Sequence, residues 1–428
     1  MSDELAQKAL FISAYIMMEG ERFGLAYNLY KRCAQLNPNI SEIWSNMGMC
    51  LEETDPKEAK KCFQRARKIK PDNPHALANE GLMCLQMADP DQCIALSKKA
   101  LAIESIDAAR HNLGLANLMK RNWREGWRHY ADTLGVKHRE GRDYGLPEWN
   151  GEPGLVVVYG EQGVGDEIMF ASCLEDIPND IVFDCDRRLE GLFKRSFDFP
   201  IYGTRFERET PLLDNHKPEY QCAIGQLPSF YRNTEDSFPG KPYLTPDPER
   251  ALQWRALFDT FPGKKIGIAW NGGLPNTGVK KRSLKVEDLD PILKGSDTFI
   301  NIDYKESNET YGGMKAYPRA TAKGLDMDEL AALVSQLDMV ICPCTTAVYV
   351  AGALGVECHV LVPTEPGYRY PLEGNFPWYS TVTLHRQQGS WLNTVGNLDK
   401  YIHRLRPEGD SSVSRALSFN SAAIQSAG

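Results

Sequence analysis

The chain has 428 residues, 42% of them hydrophobic and 25% charged, the composition of an ordinary globular protein with room for roughly two to four domains. A formal net charge of -8 argues against a dominant nucleic-acid-binding surface. There is no run of about 18 apolar residues, and the acidic start Met1-Ser-Asp-Glu4 lacks a basic, apolar leader, so no membrane span and a cytoplasmic location are expected.

Residues 1–140 carry a period. Gly48, Gly81 and Gly114 recur every 33 residues, Tyr30 and Phe63 keep that spacing, as do Pro38 and Pro71, and small residues return at Ala26, Ala59, Cys93 and Gly126. A small residue where two helices cross, with a proline closing each unit, is the signature of stacked helix-turn-helix repeats. Through Trp44, Gly48, Ala59, Phe63, Ala66 and Pro71 the stretch resembles tetratricopeptide repeats, about four units over residues 8–135, with Ser97 where an aromatic is usual. Such repeats imply a surface for a protein or glycan acceptor, or for homo-oligomerisation. Trp123, Trp127 and Tyr130 lie at helical spacing and read as an apolar seam onto the next domain in preference to a binding patch.

The Gly- and Pro-rich stretch Gly141–Gly154 breaks the helical period and serves as a linker. Strand and helix patterns then alternate. Strands are predicted at Leu155–Gly160, Ile181–Cys185, Pro200–Gly203 and Tyr220–Ile224, with helices over about 165–176 and Arg187–Ser196. After a break at Phe238–Pro248 the alternation resumes. It runs through a helix at Glu249–Phe261 and strands at Lys265–Trp270, Thr298–Ile302, Asp338–Cys342 and Glu357–Val362, with helices near Val286–Leu293 and at Met327–Gln336 and Thr345–Leu354. A last helix, Trp391–Leu405, is expected to cross back onto the first half. The predicted fold is an α solenoid (1–140) followed by α/β in two Rossmann-like halves, 141–245 and 246–406, with a flexible Ser- and Ala-rich tail over 407–428.

The eleven cysteines are scattered, and Cys342-Pro-Cys344 has no second pair nearby, so reduced, packed thiols are expected and no metal. The Asp-x-Asp triplets Asp184-Cys-Asp186 and Asp326-Met-Asp328 are what chance supplies among 57 acidic residues.

Chemistry is expected in two places. Gly160-Glu-Gln-Gly-Val-Gly-Asp166 joins a buried strand to a helix, but lacks the third glycine of a dinucleotide-binding fingerprint. It reads as the lip of an interdomain cleft, formed by Gln162, Gly163, Gly165 and Glu167, with Asp166 either a helix cap or a reactive carboxylate. Thr345 and Thr346 open a helix directly after a buried strand, where hydroxyls and free N–H groups can hold phosphate.

Four segments carry a wider resemblance: Trp149-Asn-Gly-Glu-Pro153; Gly160–Asp166; Ile266-Gly-Ile-Ala-Trp-Asn-Gly272 with Arg282-Ser-Leu284; and Thr345–Gly355. Pro363, Arg369, Pro377-Trp-Tyr379 and Arg386-Gln387 add a weaker fifth. The chain resembles bacterial and phage proteins that join tetratricopeptide repeats to a glycosyltransferase-B body, related to the lipopolysaccharide heptosyltransferases and more distantly to the protein O-GlcNAc transferases. The resemblance implies an inverting, metal-independent sugar transfer from a nucleotide diphosphate-sugar to a hydroxyl, with no other cofactor. Asp166 is then the catalytic base. The donor would meet Trp270, Asn271, Gly272, Lys281, Arg282, Cys344, Thr345, Thr346, Ala347, Tyr349 and Arg369. Relatives commonly place Asp or Gln before the Thr and His four residues after it, where this chain has Cys344 and Tyr349. Those departures keep open a catalytically inactive, repeat-based interaction protein. Glycosylation of modified DNA bases is a third reading, with little support from the acidic charge.

Overall fold

A computed structural model describes residues 3–136, 139, 141–273, 279–304, 311–315 and 326–405. The segment 407–428, expected to be a flexible tail, lies outside the described residues.

Eight helices form the N-terminal array: α1 (Asp3–Glu19), α2 (Phe23–Leu36), α3 (Ser41–Leu51), α4 (Pro56–Ile69), α5 (Pro74–Gln86), α6 (Pro90–Ile103), α7 (Asp107–Met119) and α8 (Trp123–Ala131). They pair as four hairpins, each packed on the next, in the manner of tetratricopeptide repeats. Asp55, Asn73 and Asp89 cap α4, α5 and α6, each followed by a proline at the first helical position, where its missing N–H costs nothing. The glycine period has a steric cause. A Cβ on Gly48 would lie 2.7 Å from the Phe63 ring, and one on Gly114 would lie 2.9 Å from the backbone nitrogen of Tyr130.

The first half of the body holds β1 (Val156–Tyr159), α9 (Val164–Ala171), β2 (Ile181–Asp184), α10 (Glu190–Ser196), β3 (Ile201–Tyr202), α11 (Leu212–His216), β4 (Tyr220–Ala223) and α12 (Pro228–Tyr231). The second holds α13 (Pro248–Phe258), β5 (Lys265–Ile268), α14 (Val279–Arg282), β6 (Thr298–Asn301), α15 (Met327–Val334), β7 (Met339–Pro343), α16 (Thr346–Leu354), β8 (Cys358–Val362), β9 (Val382–Arg386) and α17 (Trp391–Leu405). Each half has a parallel sheet, ordered β3-β2-β1-β4 in the first and β6-β5-β7-β8-β9 in the second. The strand cores are buried on both faces, as the Val-rich run of β1 requires. Both are Rossmann-like doubly wound sheets, whose strand order reverses beside β1 and beside β5.

Two expectations are corrected. α17 does not cross to the first half: Val395, Leu398 and Ile402 pack with Ile266, Ile268 and Leu289 of its own half. The predicted helix near Val286–Leu293 is a single 3-10 turn, Val286–Leu289. The Gly/Pro linker is tied to the first half: Trp149 N donates to Gln221 O at 2.8 Å and the indole packs 4.9 Å from the Phe230 ring.

The seam reading of Trp123, Trp127 and Tyr130 agrees with the structure. Trp127 sits edge-on to Phe170 of the first half and Trp378 of the second, and all three belong to one contiguous buried cluster. The Trp123 ring lies tilted against that of Phe238, centroids 4.9 Å apart, and the Tyr130 hydroxyl is 3.1 Å from that of Tyr368. All eleven cysteines are buried and free. No described helix is long and apolar enough to cross a membrane.

Candidate functional site

In an open parallel sheet the connections leaving the carboxyl ends of two neighbouring strands run to opposite faces where the strand order reverses, leaving a crevice. Around β5 and β7 that crevice collects most of the expected donor residues. Trp270 N and Asn271 N donate to the buried Asp303 carboxylate at 3.0 and 2.8 Å, fixing the turn after β5. Gly272 N donates to Ser283 Oγ at 3.0 Å, and Leu284 N to Trp270 O at 2.9 Å. A Cβ on Gly272 would lie 2.5 Å from Arg282 Cβ and 2.9 Å from the Arg282 carbonyl carbon, so only glycine lets these two segments meet. Arg282 Nη1 then donates to Cys344 O at 3.0 Å, which ties α14 to the start of α16. Thr345 is the N-cap of α16 but makes no side-chain cap bond, and both threonines are half-buried.

The other expected donor residues are placed differently. Lys281 is engaged: its ammonium contacts Glu365 at 2.5 Å and the Gln86 carbonyl of the repeat array at 3.3 Å. Cys344 is buried, its thiol pushed up to about 12 by desolvation, and Ala347 is buried beside it. Tyr349 is also buried, its hydroxyl held protonated by desolvation, with its ring against Phe376 and Gly165. Cys344 and Tyr349, expected as sugar contacts, are thus both buried in this conformation.

The glycine-rich turn faces this crevice from the first half, because α9 packs directly on α16. A Cβ on Gly165 would lie 2.9 Å from the Tyr349 ring and 3.3 Å from Thr346 Oγ1. Gly163, not Asp166, is the N-cap of α9. The Asp166 carboxylate instead makes an ion pair with Arg369 of the second half. Arg369 also donates to Gln162 Oε1 at 3.3 Å and lies over the Tyr368 ring, 4.5 Å from its centroid.

Each acidic side chain of the turn has its own arginine. Glu161 is buried 3.4 Å from Arg139, and Gln162 Nε2 donates to it at 2.9 Å. Glu167 is fully buried, paired with Arg205, and accepts from Asp186 N at 2.9 Å. Glu167 thus faces the interior rather than the cleft and is corrected as a candidate lip residue. Asp166 alone of the three reaches across to the other half.

Sequence reasoning missed Asp303, Ser283, Arg139 and Arg205. Asp303 could have been found, since it follows a predicted strand at the carboxyl edge where site residues gather. The arginines come from loops with no periodic signal.

Where the array and both halves meet there is a cavity of about 10 Å³, lined by Leu118, Trp123, Trp127, Met169, Arg369 and Trp378 among others. That is space for about one water molecule.

No protein-family model matches the chain. Protein FlbA of Caulobacter vibrioides is 26% identical over 422 residues, covering 90% of this chain and 71% of FlbA. Among solved structures, MamA is similar over 30% of this chain and 76% of its own, at 21% identity and a TM-score of 0.28. PilW, a widely conserved type IV pilus biogenesis factor, is similar over 31% and 62%, at 19% identity and 0.29. YrrB, a TPR protein with an unusual peptide-binding site, is similar over 31% and 74%, at 15% identity and 0.27.

Proposed function

We propose that the protein is a glycosyltransferase of the glycosyltransferase-B architecture, moving a sugar from a nucleotide diphosphate-sugar to a hydroxyl acceptor with inversion and without a metal. The observation that carries this reading is the opposition of two switch-point crevices: Asp166 at the edge of one half, Thr345, Thr346 and Arg369 at the edge of the other.

The chemistry follows from those groups. Departure of the diphosphate develops negative charge, which the half-buried start of α16 can stabilise through two hydroxyls and unpaired N–H groups. A carboxylate on the opposite face takes the proton from the acceptor hydroxyl as it attacks the anomeric carbon, and inversion requires that opposite-face placement. Asp166 is the carboxylate that reaches the junction, while Glu161 and Glu167 are held by their own arginines. Asp303 and Ser283 position the turn carrying Asn271 and Gly272.

Thermal-shift and calorimetric titration with uridine, guanosine, adenosine and cytidine diphosphates test the reading. Stabilisation by one of them, weakened at least tenfold by Thr345→Val with Thr346→Val, is the expected result. Indifference to all four rejects it.

One observation favours a second reading, a repeat-based interaction protein whose body has lost activity. Cys344 and Tyr349, which stand where relatives commonly carry polar residues, are both buried. The same titration separates the two, because a scaffold answers none of the four nucleotides.

A further inference from the structure

We infer that Arg369 is a two-partner latch: it holds the halves closed through Asp166 when the cleft is empty, and exchanges that carboxylate for the diphosphate of an incoming donor. The inference rests on the glycosyltransferase reading and adds to it an order of events, donor first, with the base released by donor binding.

Three features of the geometry carry it. The guanidinium is one point where the halves grip each other by charge, a second being Arg195 with Asp328; it engages Asp166 and Gln162 together, directly beside the contact of Gly165 with Thr346. The pair is neither on the open surface nor sealed, with side-chain exposures of 24% for Arg369 and 16% for Asp166, so water screens it only in part. Gly165 of α9 packs against α16, where a Cβ on it would lie 2.9 Å from the Tyr349 ring and 3.3 Å from Thr346 Oγ1, so a diphosphate reaches the start of α16 only as α9 and α16 separate. Breaking the ion pair and admitting the anion are therefore one event.

The chemistry of the exchange is simple. A planar guanidinium binds carboxylate and phosphate oxygens with the same two-pronged geometry, and the doubly charged diphosphate outcompetes a single carboxylate. While Arg369 holds Asp166, both contacts fall on Oδ1 and draw the carboxylate toward the second half instead of toward an acceptor hydroxyl. Once Arg369 turns to the diphosphate, Asp166 is released on the acceptor side of the cleft. Tyr368, whose ring lies under the guanidinium, supports it in either state, because a cation over a ring face has no directional bond to break. The latch thus keeps a reactive base quiet until a donor is present, which also guards the donor from hydrolysis by a base already exposed to water.

A double-mutant cycle with inorganic pyrophosphate as the probe tests the exchange on the full chain. Calorimetry on wild type, Asp166→Asn, Arg369→Gln and the double variant gives four affinities. If Arg369 changes partners, Asp166→Asn tightens pyrophosphate about tenfold in the wild-type background and has little effect beside Arg369→Gln. Equal tightening in both backgrounds means that Asp166 merely repels the anion; the latch is then overturned while the donor site stands. No pyrophosphate binding by any of the four overturns both the latch and the donor site. Hydrogen exchange supplies the second readout: Asp166→Asn should raise exchange across Val164–Ala171 and Thr346–Leu354 while exchange in the outer repeat helices Phe23–Leu36 and Ser41–Leu51 stays unchanged. Unchanged exchange in both helices would show that the ion pair does not hold the halves together.

Discussion

Gly81 and Gly114 occupy the same position in successive repeat units, yet a methyl group added to each meets different neighbours. On Gly114 it would press against backbone, 2.9 Å from Tyr130 N and 3.1 Å from Gly126 O, which cannot yield. On Gly81 it finds Ser97 Oγ at 3.4 Å, an ordinary contact, because the usual aromatic of the second helix is a serine in this unit. Opposite signs follow for one substitution. Gly114→Ala should destabilise the array by about 1–3 kcal/mol through overpacking. Gly81→Ala should stabilise it by about 0.5–1 kcal/mol through helix propensity. Urea unfolding of the two variants checks this, and shifts of the same sign would refute the packing account. The equivalence of the two glycines was legible in their spacing. The difference was not, since it depends on how closely the partner backbone approaches.

Strand β9 escaped the sequence reading because Val382–Arg386 carries histidine and arginine in place of the apolar run that marked β5 to β8. It is an edge strand, paired only with β8, so its outer side needs no second strand. Two histidines hold it in place. His359 Nδ1 and His385 Nε2 lie 3.0 Å apart across the β8–β9 pair, with Glu357 3.0 Å from His359 Nε2 and the Tyr401 ring of α17 packed on both imidazoles. Burial, and secondarily the neighbouring His359, push the His385 pKa down from 6.5 to about 4. The unfolded chain binds that proton near pH 6.5 and the folded chain only near 4, so this stability is present above about 6.5 and is lost as pH falls to about 4. Hydrogen exchange in Val382–Arg386 and Trp391–Leu405 should rise over that window in the wild type and much less in His385→Gln. Equal pH profiles for the two proteins would contradict the assignment. This element contact also explains why α17 stays on its own half, since Tyr401 and the Val395–Leu398–Ile402 face find partners there.

At the scale of the molecule, the array and the two halves are one packed body. Arg121, at the turn between α7 and α8, pairs with Glu235 of the first half and donates to the carbonyls of Glu373 and Asn375 of the second at 3.2 Å each. Leu372 N reaches Met119 O at 3.4 Å, and Lys281 reaches Gln86 O at 3.3 Å. Trp127 is the centre of this junction, 2% exposed. Trp127→Ala should cost about 3–5 kcal/mol, as truncation of a buried aromatic does, and should let the array melt separately from the body. Calorimetry checks the prediction by the appearance of a second transition, and limited proteolysis by earlier cleavage between residues 132 and 143. A single, unshifted transition would place the seam elsewhere.

Periodicity and β-branched runs by themselves determined the helical repeats, most of the strands and the two-part α/β body, because those patterns report which faces are buried regardless of what buries them. They also singled out Asp166 and Thr345 as termini of helices that follow buried strands. What the partners of those residues are, only the tertiary structure decided. Arg369 is 203 residues from Asp166 in the chain and meets it across the junction of the halves. Glu167, one residue further along the same helix, turns inward to Arg205 instead. Charge pairs of that kind are set by the docking of whole elements, and no local pattern of residues encodes which arginine a given carboxylate will face.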